Sequence, residues 1–302
     1  MKDVQRGTLF AAGAYAIWGL LPLYWILLKP AGAVEVLAHR FVWSLVFVAA
    51  VLLVLRRSAW LRDLHHHPRT ALYLTAAAAL IAVNWGTYIY GVNTGRVVET
   101  SLGYFINPLV SILLGVVVLR ERLRPGQWAA VGLGTVAVFV LAADYGRLPW
   151  IALLLAGTFA IYGLLKKQAA APPLEGMAVE SGVSTPVALA YLAWLSWTGH
   201  AQFGHVSITH TVLMLLTGVA TAIPLLLFAS AANRVPLSTL GVFQYIAPTL
   251  QFIIGVAVLH EDMPAARWAG FVLVWAALAL FTVDGIRAHR ARRAVEPVAE
   301  PV

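Results

Sequence analysis

The chain is written twice. Leu119-Arg120-Glu121 recurs as Leu259-His260-Glu261 and Trp128-Ala129 as Trp268-Ala269, while Pro108, Gly115 and Asp144 stand in the same ungapped frame as Pro248, Gly255 and Asp284. Nearer the start of each copy, Ala16-Ile17-Trp18-Gly19-Leu20-Leu21 matches Ala160-Ile161-Tyr162-Gly163-Leu164-Leu165. Such a chain is expected to fold as two similar halves. If each half crosses a membrane an odd number of times, the second enters it upside down. Inverted repeats of this kind let secondary transporters close one face while opening the other, by exchanging the conformations of the two halves.

Composition puts the chain in a membrane. Of 302 residues, 61% are hydrophobic and 11% are charged, against about 25% charged in an ordinary soluble domain. The apolar residues come in blocks that match the roughly 20 helical residues needed to cross the hydrocarbon. The fold class is therefore read as an all-α polytopic membrane protein. With no cysteine, disulfides and thiolate metal sites are excluded. The run from Thr8 to Leu28 lacks a clear small-x-small cleavage site, so it reads as a retained first span.

Hydropathy predicts ten transmembrane helices near residues 7–28, 34–55, 70–92, 98–119, 127–144, 148–165, 177–196, 209–229, 237–259 and 266–285. They divide into two inverted five-helix repeats, 1–146 and 147–286, followed by a basic and then disordered tail, 287–302. Pro22, Pro108, Pro186, Pro224 and Pro248 fall inside spans, and the matched pair Pro108 and Pro248 is expected to kink its helices near mid-membrane. With the N-terminus cytoplasmic, Lys and Arg favour the inner segments by about four to one, which places both termini in the cytoplasm. The net charge of +8 thus follows from topology, and no domain is left to present a nucleic-acid surface. The basic tail can meet anionic lipid.

Several motifs resemble the EamA-type drug/metabolite transporter superfamily, and within it the RarD-like permeases. They are Ala14-Tyr15-Ala16-Ile17-Trp18-Gly19, Ala38-His39-Arg40 with Trp43-Ser44, Asn84-Trp85, Glu99-x-Ser101-Leu102-Gly103-Tyr104-Phe105-Ile106-Asn107-Pro108-Leu109, and Leu237-Ser238-Thr239-Leu240-Gly241-x-Phe243-Gln244-Tyr245-Ile246-x-Pro248-Thr249-Leu250. The resemblance runs from the first span through the tenth. It implies a ten-helix plasma-membrane permease, of the bacterial inner-membrane kind, that exports small organic molecules.

Ionisable groups inside a span cost roughly 2.5–3.5 kcal/mol at mid-helix on insertion scales, so each needs a reason. Arg40 is the only Lys or Arg placed well inside a span, and it cannot readily lose its proton. It is expected to pair with Glu99 or with a substrate carboxylate, the static alternatives being an interhelical ion pair or snorkelling to the surface. His39, Glu99 and Glu180 are the proton-coupling candidates, because imidazole titrates near neutrality and burial raises a carboxylate towards it. Asn84, Tyr88, Tyr104, Asn107, Gln244 and Tyr245 supply amides and phenols, and Trp18 and Trp85 supply flat faces for a small-molecule substrate. The plain alternative for each is packing between helices, which Gly103 and Gly241 would bring close. Trp60, Trp128, Trp150, Trp194, Trp197 and Trp268 read as interfacial.

His65-His66-His67 is not read as a metal site, since consecutive loop residues diverge and no partner set completes it. No cofactor is expected. Nucleotide-binding and hydrolase motifs are absent, so any driving force must come from gradients. The expected mechanism is alternating access, with spans five and ten peripheral or forming a homodimer contact. A membrane-embedded acid–base enzyme, a channel and a non-transport scaffold are the competing readings.

Overall fold

The computed structural model describes residues 2–56, 67–120, 123–169, 171–232, 234–235 and 243–295. Every regular element among them is helical: α1 (Lys2–Ile26), α2 (Ala33–Val54), α3 (Pro68–Asn93), α4 (Val97–Leu119), α5 (Pro125–Tyr145), α6 (Trp150–Ala169), α7 (Pro173–Trp197), α8 (Ile208–Ala232), α9 (Ile246–Ile253) with a π-helical turn at Ile254–Val258, and α10 (Ala265–Val295). Prolines open α3, α5 and α7, where a missing N–H costs nothing and the fixed φ suits the first turn.

Seven of these helices are long and apolar enough to cross a membrane: α1 to α5, α8 and α10. The α6 stretch Trp150–Lys166 and the α9 stretch Ile246–Val258 are shorter apolar helices. Large apolar side chains face outward, Trp197 at 87% exposure and Ile208 at 86% among them. Such a surface belongs against lipid, since soluble proteins rarely present contiguous apolar patches of any size.

The chain divides into two compact units that cut across the sequence repeats, residues 1–104 with 151–261 and residues 105–150 with 262–302. In the first, α2 packs on α7 and α8, α1 packs on α8 and α9, and α3 packs on α7. Gly218 of α8 lies flush against the Trp43 carbonyl of α2, leaving no room for a Cβ. Gly103 sits where a Cβ would stand 2.8 Å from the Ala152 carbonyl, so the predicted role of Gly103 in close helix approach holds; Gly241 lies outside the described residues. Glu261 accepts the backbone N–H groups of Val97 and Val98, capping the positive end of α4 with a carboxylate.

In the second unit, α5 and α10 run antiparallel and are tied at both ends. Arg124, before α5, pairs with Asp284 late in α10 at 2.7 Å. Arg267, in the first turn of α10, pairs with Asp144 late in α5 at 2.9 Å. Between the ties, Leu141 packs into the space left by Gly270, and Phe105, Phe271 and Trp275 meet edge to face.

The repeat is written into the backbone as well. Arg120 and His260, equivalent in the two copies, both take positive φ, 54° and 53°, a region that non-glycine residues enter uncommonly.

Pro248 lies in the first turn of α9, directly after a turn at Gln244 and Tyr245. Gln244 and Tyr245 lie in the turn ahead of α9, not inside a helix. The basic stretch after residue 286 continues α10 to Val295, because Ala and Arg are strong helix formers and nothing there breaks the pattern.

Candidate functional site

The first unit gathers most of the predicted residues around Arg40. The Arg40 side chain is buried, at 3% exposure, and is the one buried Lys or Arg among the described residues. Its guanidinium lies over the Trp85 ring, 3.6 Å from the centroid, with the Trp25 ring at 5.3 Å. Nε donates to Thr221 Oγ1 at 2.8 Å. The Thr221 hydroxyl donates in turn to the Thr217 carbonyl at 2.8 Å, so its lone pairs are oriented to receive Arg40. A stacked cation over Trp contributes about 0.5–2 kcal/mol, which offsets part of the burial cost.

The predicted Arg40–Glu99 pair does not form. Glu99 is buried and accepts the Ile151 backbone N–H at 3.2 Å. Among the described residues, no carboxylate lies within ion-pair distance of Arg40. Nor does Arg40 snorkel: its neighbours come from α1, α3 and α8, well inside the unit.

Asn84, Trp85 and Tyr88 share one stretch of α3. Asn84 Nδ2 donates to the Leu155 carbonyl and to Thr158 Oγ1, each at 2.9 Å, and its Oδ1 accepts from Tyr104 at 3.2 Å. Asn84 is thus a tie between α3, α4 and α6, with little capacity left for a ligand. Tyr88 is different: its hydroxyl is buried with no partner, its ring stands edge-on to Tyr104 at 5.7 Å, and both phenols are electrostatic neighbours of Arg40. Trp18 packs edge-on to Tyr15 at 5.3 Å and beside Phe228 at 5.9 Å.

His39 follows a separate path. Its Nδ1 accepts from Trp43 Nε1 at 3.1 Å, which assigns the ring proton to Nε2. Its ring lies 4.5 Å from that of Phe203. Together with Glu35, Leu189, Leu192, Ser196 and Phe203 it lines a cavity of about 310 Å³ between α2, α7 and the following loop. Glu180 is also buried. It pairs with Lys166 Nζ at 2.7 Å and accepts from Tyr162 Oη at 3.2 Å.

Asn107 falls in the second unit, and Gln244 and Tyr245 are partly buried ahead of α9. The described tryptophans read as interfacial, Trp128, Trp150, Trp194, Trp197 and Trp268, are all exposed; Trp60, His65 and His66 lie outside the described residues. Sequence reasoning missed Thr221, Trp25, Lys166 and Glu35. Lys166 had a readable signal, since it lies one helical turn from Tyr162, but the predicted end of its span at residue 165 left it in a loop.

Residues 5–143 and 148–283 each match the EamA-like transporter family. The chain is 55% identical over 300 residues to Protein RarD of Streptomyces exfoliatus, covering 99% of this chain and 95% of that one. It is 40% identical over 289 residues to Protein RarD of Escherichia coli strain K12, covering 96% and 98%. It is 43% identical over 296 residues to the Uncharacterized transporter YojE of Bacillus subtilis strain 168, again covering 96% and 98%. A solved crystal structure shares the fold with a TM-score of 0.56 at 19% identity, over 96% of this chain and 99% of that one. With two family segments along its length and apolar helices throughout, the chain is a multi-pass membrane protein of the EamA-like transporter family.

Proposed function

We propose that the protein is a secondary transporter of the plasma membrane, exporting small organic metabolites or drugs by alternating access. In this reading ten spans form two inverted five-helix repeats with both termini cytoplasmic; the antiparallel course of α5 and α10, equivalent elements of the two copies, supports the inversion. The observation that carries the function is Arg40, a buried cation held by Trp85 and Thr221 with no carboxylate paired to it among the described residues. Static ion pairs satisfy both partners, whereas a charge kept buried and unpaired has a use for an incoming group.

The substrate site is built on Arg40 and Tyr88, with Trp18, Trp85 and Tyr104 as walls. His39, Gln244 and Tyr245 are its outlying contacts, and Asn84 holds the walls together. Glu180, joined to Lys166 and Tyr162, is the first candidate for proton coupling, ahead of Glu99 and His39. The exposed apolar faces of α5 and α10, including Phe139 and Val272, suit lipid or a second copy of the chain.

Counterflow in proteoliposomes tests this reading. Vesicles loaded with organic acids, amino acids, nucleosides or amphenicols are assayed at two pH values; amphenicols join the panel because a relative 30% identical over 306 residues is named Chloramphenicol-sensitive protein RarD. Saturable, protein-dependent exchange of at least one solute is expected, with the pH dependence lost in Glu180→Gln. Folded protein that exchanges no solute above empty vesicles would overturn it.

A further inference from the structure

The surroundings of Arg40 restrict what the site can hold. Its Nε is taken by Thr221, and the guanidinium plane is fixed against Trp85. What remains is the end of the guanidinium, Nη1 and Nη2, for which no hydrogen-bond partner occurs among the described residues. Those two parallel N–H groups form the fork that receives a carboxylate through two hydrogen bonds. Tyr88 Oη, buried and without a partner, offers a further donor beside it.

The charge is as informative as the geometry. Lys166 is neutralised by Glu180, and Arg40 is the one buried Lys or Arg among the described residues, with no carboxylate paired to it there. A monoanion answers it. A dianion would leave one negative charge buried, and a zwitterion, once its carboxylate had answered Arg40, would leave its own ammonium group buried and unpaired. Four carboxylates are buried among the described residues: Glu35, Glu99 and Glu180 are engaged by the amides of Gln202 and Phe203, the amide of Ile151, and Lys166, and Glu175, in the first turn of α7, is not free either. The remaining neighbours are the rings of Trp25, Trp85, Tyr88 and Tyr104, which suit a flat, uncharged body.

We propose that the transported species is a monocarboxylate with an uncharged aromatic or similarly flat body, held through its carboxylate by the Nη1/Nη2 end of Arg40 and by Tyr88. This rests on the transporter reading above and names its substrate class.

The test is thermal unfolding of the purified full-length protein in detergent with benzoate, its uncharged near-isostere benzamide, phenylalanine, and sodium chloride at matched concentration. A ligand confined to the folded state raises the unfolding midpoint by mass action. Benzoate is expected to raise it in a saturable way, with no such shift from the other three. Arg40→Gln should abolish the benzoate shift, and Tyr88→Phe should weaken apparent affinity roughly 10-fold. If Arg40→Gln does not fold, Arg40→Lys serves in its place: it keeps the charge, lacks the fork, and should bind benzoate at least roughly 10-fold more weakly.

No benzoate shift, an equal shift from benzamide or chloride, or a benzoate shift that survives in Arg40→Gln or at full strength in Arg40→Lys would each overturn the proposal. Counterflow separates the two levels. Saturable exchange of phenylalanine unaffected by benzoate would remove the monocarboxylate class and leave transport standing, whereas no exchange of any solute would remove transport itself.

Discussion

Asp144 and Asp284 hold the same position in the two copies of the sequence, and each accepts an arginine from the beginning of the other's helix. The two ties are unequal in their surroundings. Arg267 and Asp144 are 17% and 8% exposed, and the Arg267 guanidinium also lies 4.4 Å from the Tyr145 ring centroid; Arg124 and Asp284 are 39% and 22% exposed.

Removing the sheltered tie should therefore cost more. Asp144→Ala strands the Arg267 charge in a partly buried place and should destabilise by about 2–3 kcal/mol. Arg124→Ala loses a better-hydrated pair and should cost less than about 1 kcal/mol. Equilibrium unfolding of both variants in the same detergent checks the order, and equal losses would mean that burial does not set the strength of these pairs.

Asn84 joins three helices through one amide. Asn84→Ala leaves the Tyr104 hydroxyl without an acceptor and removes both donors to α6. Interhelical hydrogen bonds in membranes average about 0.6 kcal/mol and reach about 1.7 kcal/mol, so a loss of about 1–2 kcal/mol is expected. If Asn84 were a ligand contact and not a tie, the variant would keep its unfolding midpoint and lose only transport.

Glu261 caps α4 from a distance in sequence. Glu261→Ala should expose the first-turn N–H groups of α4 and destabilise by about 1 kcal/mol, whereas Glu261→Gln keeps one acceptor and should cost less. Faster amide exchange at Val97 and Val98 in Glu261→Ala, with the far end of α4 unchanged, is the expected signature.

Gly19 allows α1 to lie close to α9. A Cβ there would stand 2.7 Å from Leu250 Cβ and 3.2 Å from Ala247 Cα. Gly19→Val should force the helices apart at a cost of about 1–3 kcal/mol, read as a lowered midpoint. Gly132→Val, at a position with nothing within 4 Å, is the matched control and should leave it in place.

Much of this architecture was legible beforehand because apolar length, proline position and the repeat are local properties of the chain. Ten spans were expected, and seven helices have the length and apolarity to cross, while α6 and α9 offer shorter apolar stretches; the shared turn at Arg120 and His260 stands in the repeated Leu-x-Glu motif. The reading reached the Arg40 neighbourhood through the rarity of a charge inside an apolar block. Of the two partners expected for Arg40, Glu99 or a substrate carboxylate, the first is not used: the Glu99 carboxylate accepts the Ile151 amide. Thr221 and Trp25 were not found, because a threonine in an apolar helix and a tryptophan near a helix end look ordinary until the fold brings them together. Tyr162 aligns with Trp18 in the repeat, yet it serves Glu180 while Trp18 packs among aromatics. Equivalent positions have kept their places and changed their tasks.

The contact of Gly218 with the Trp43 carbonyl has a mechanical consequence. Backbone meets backbone there, and Arg40 and Thr221 fasten the same two helices by their side chains. Under the alternating-access cycle proposed above, α2 and α8 would travel as a single spar. Arg40 would keep its bearing on that spar, and the walls around it would be the moving parts.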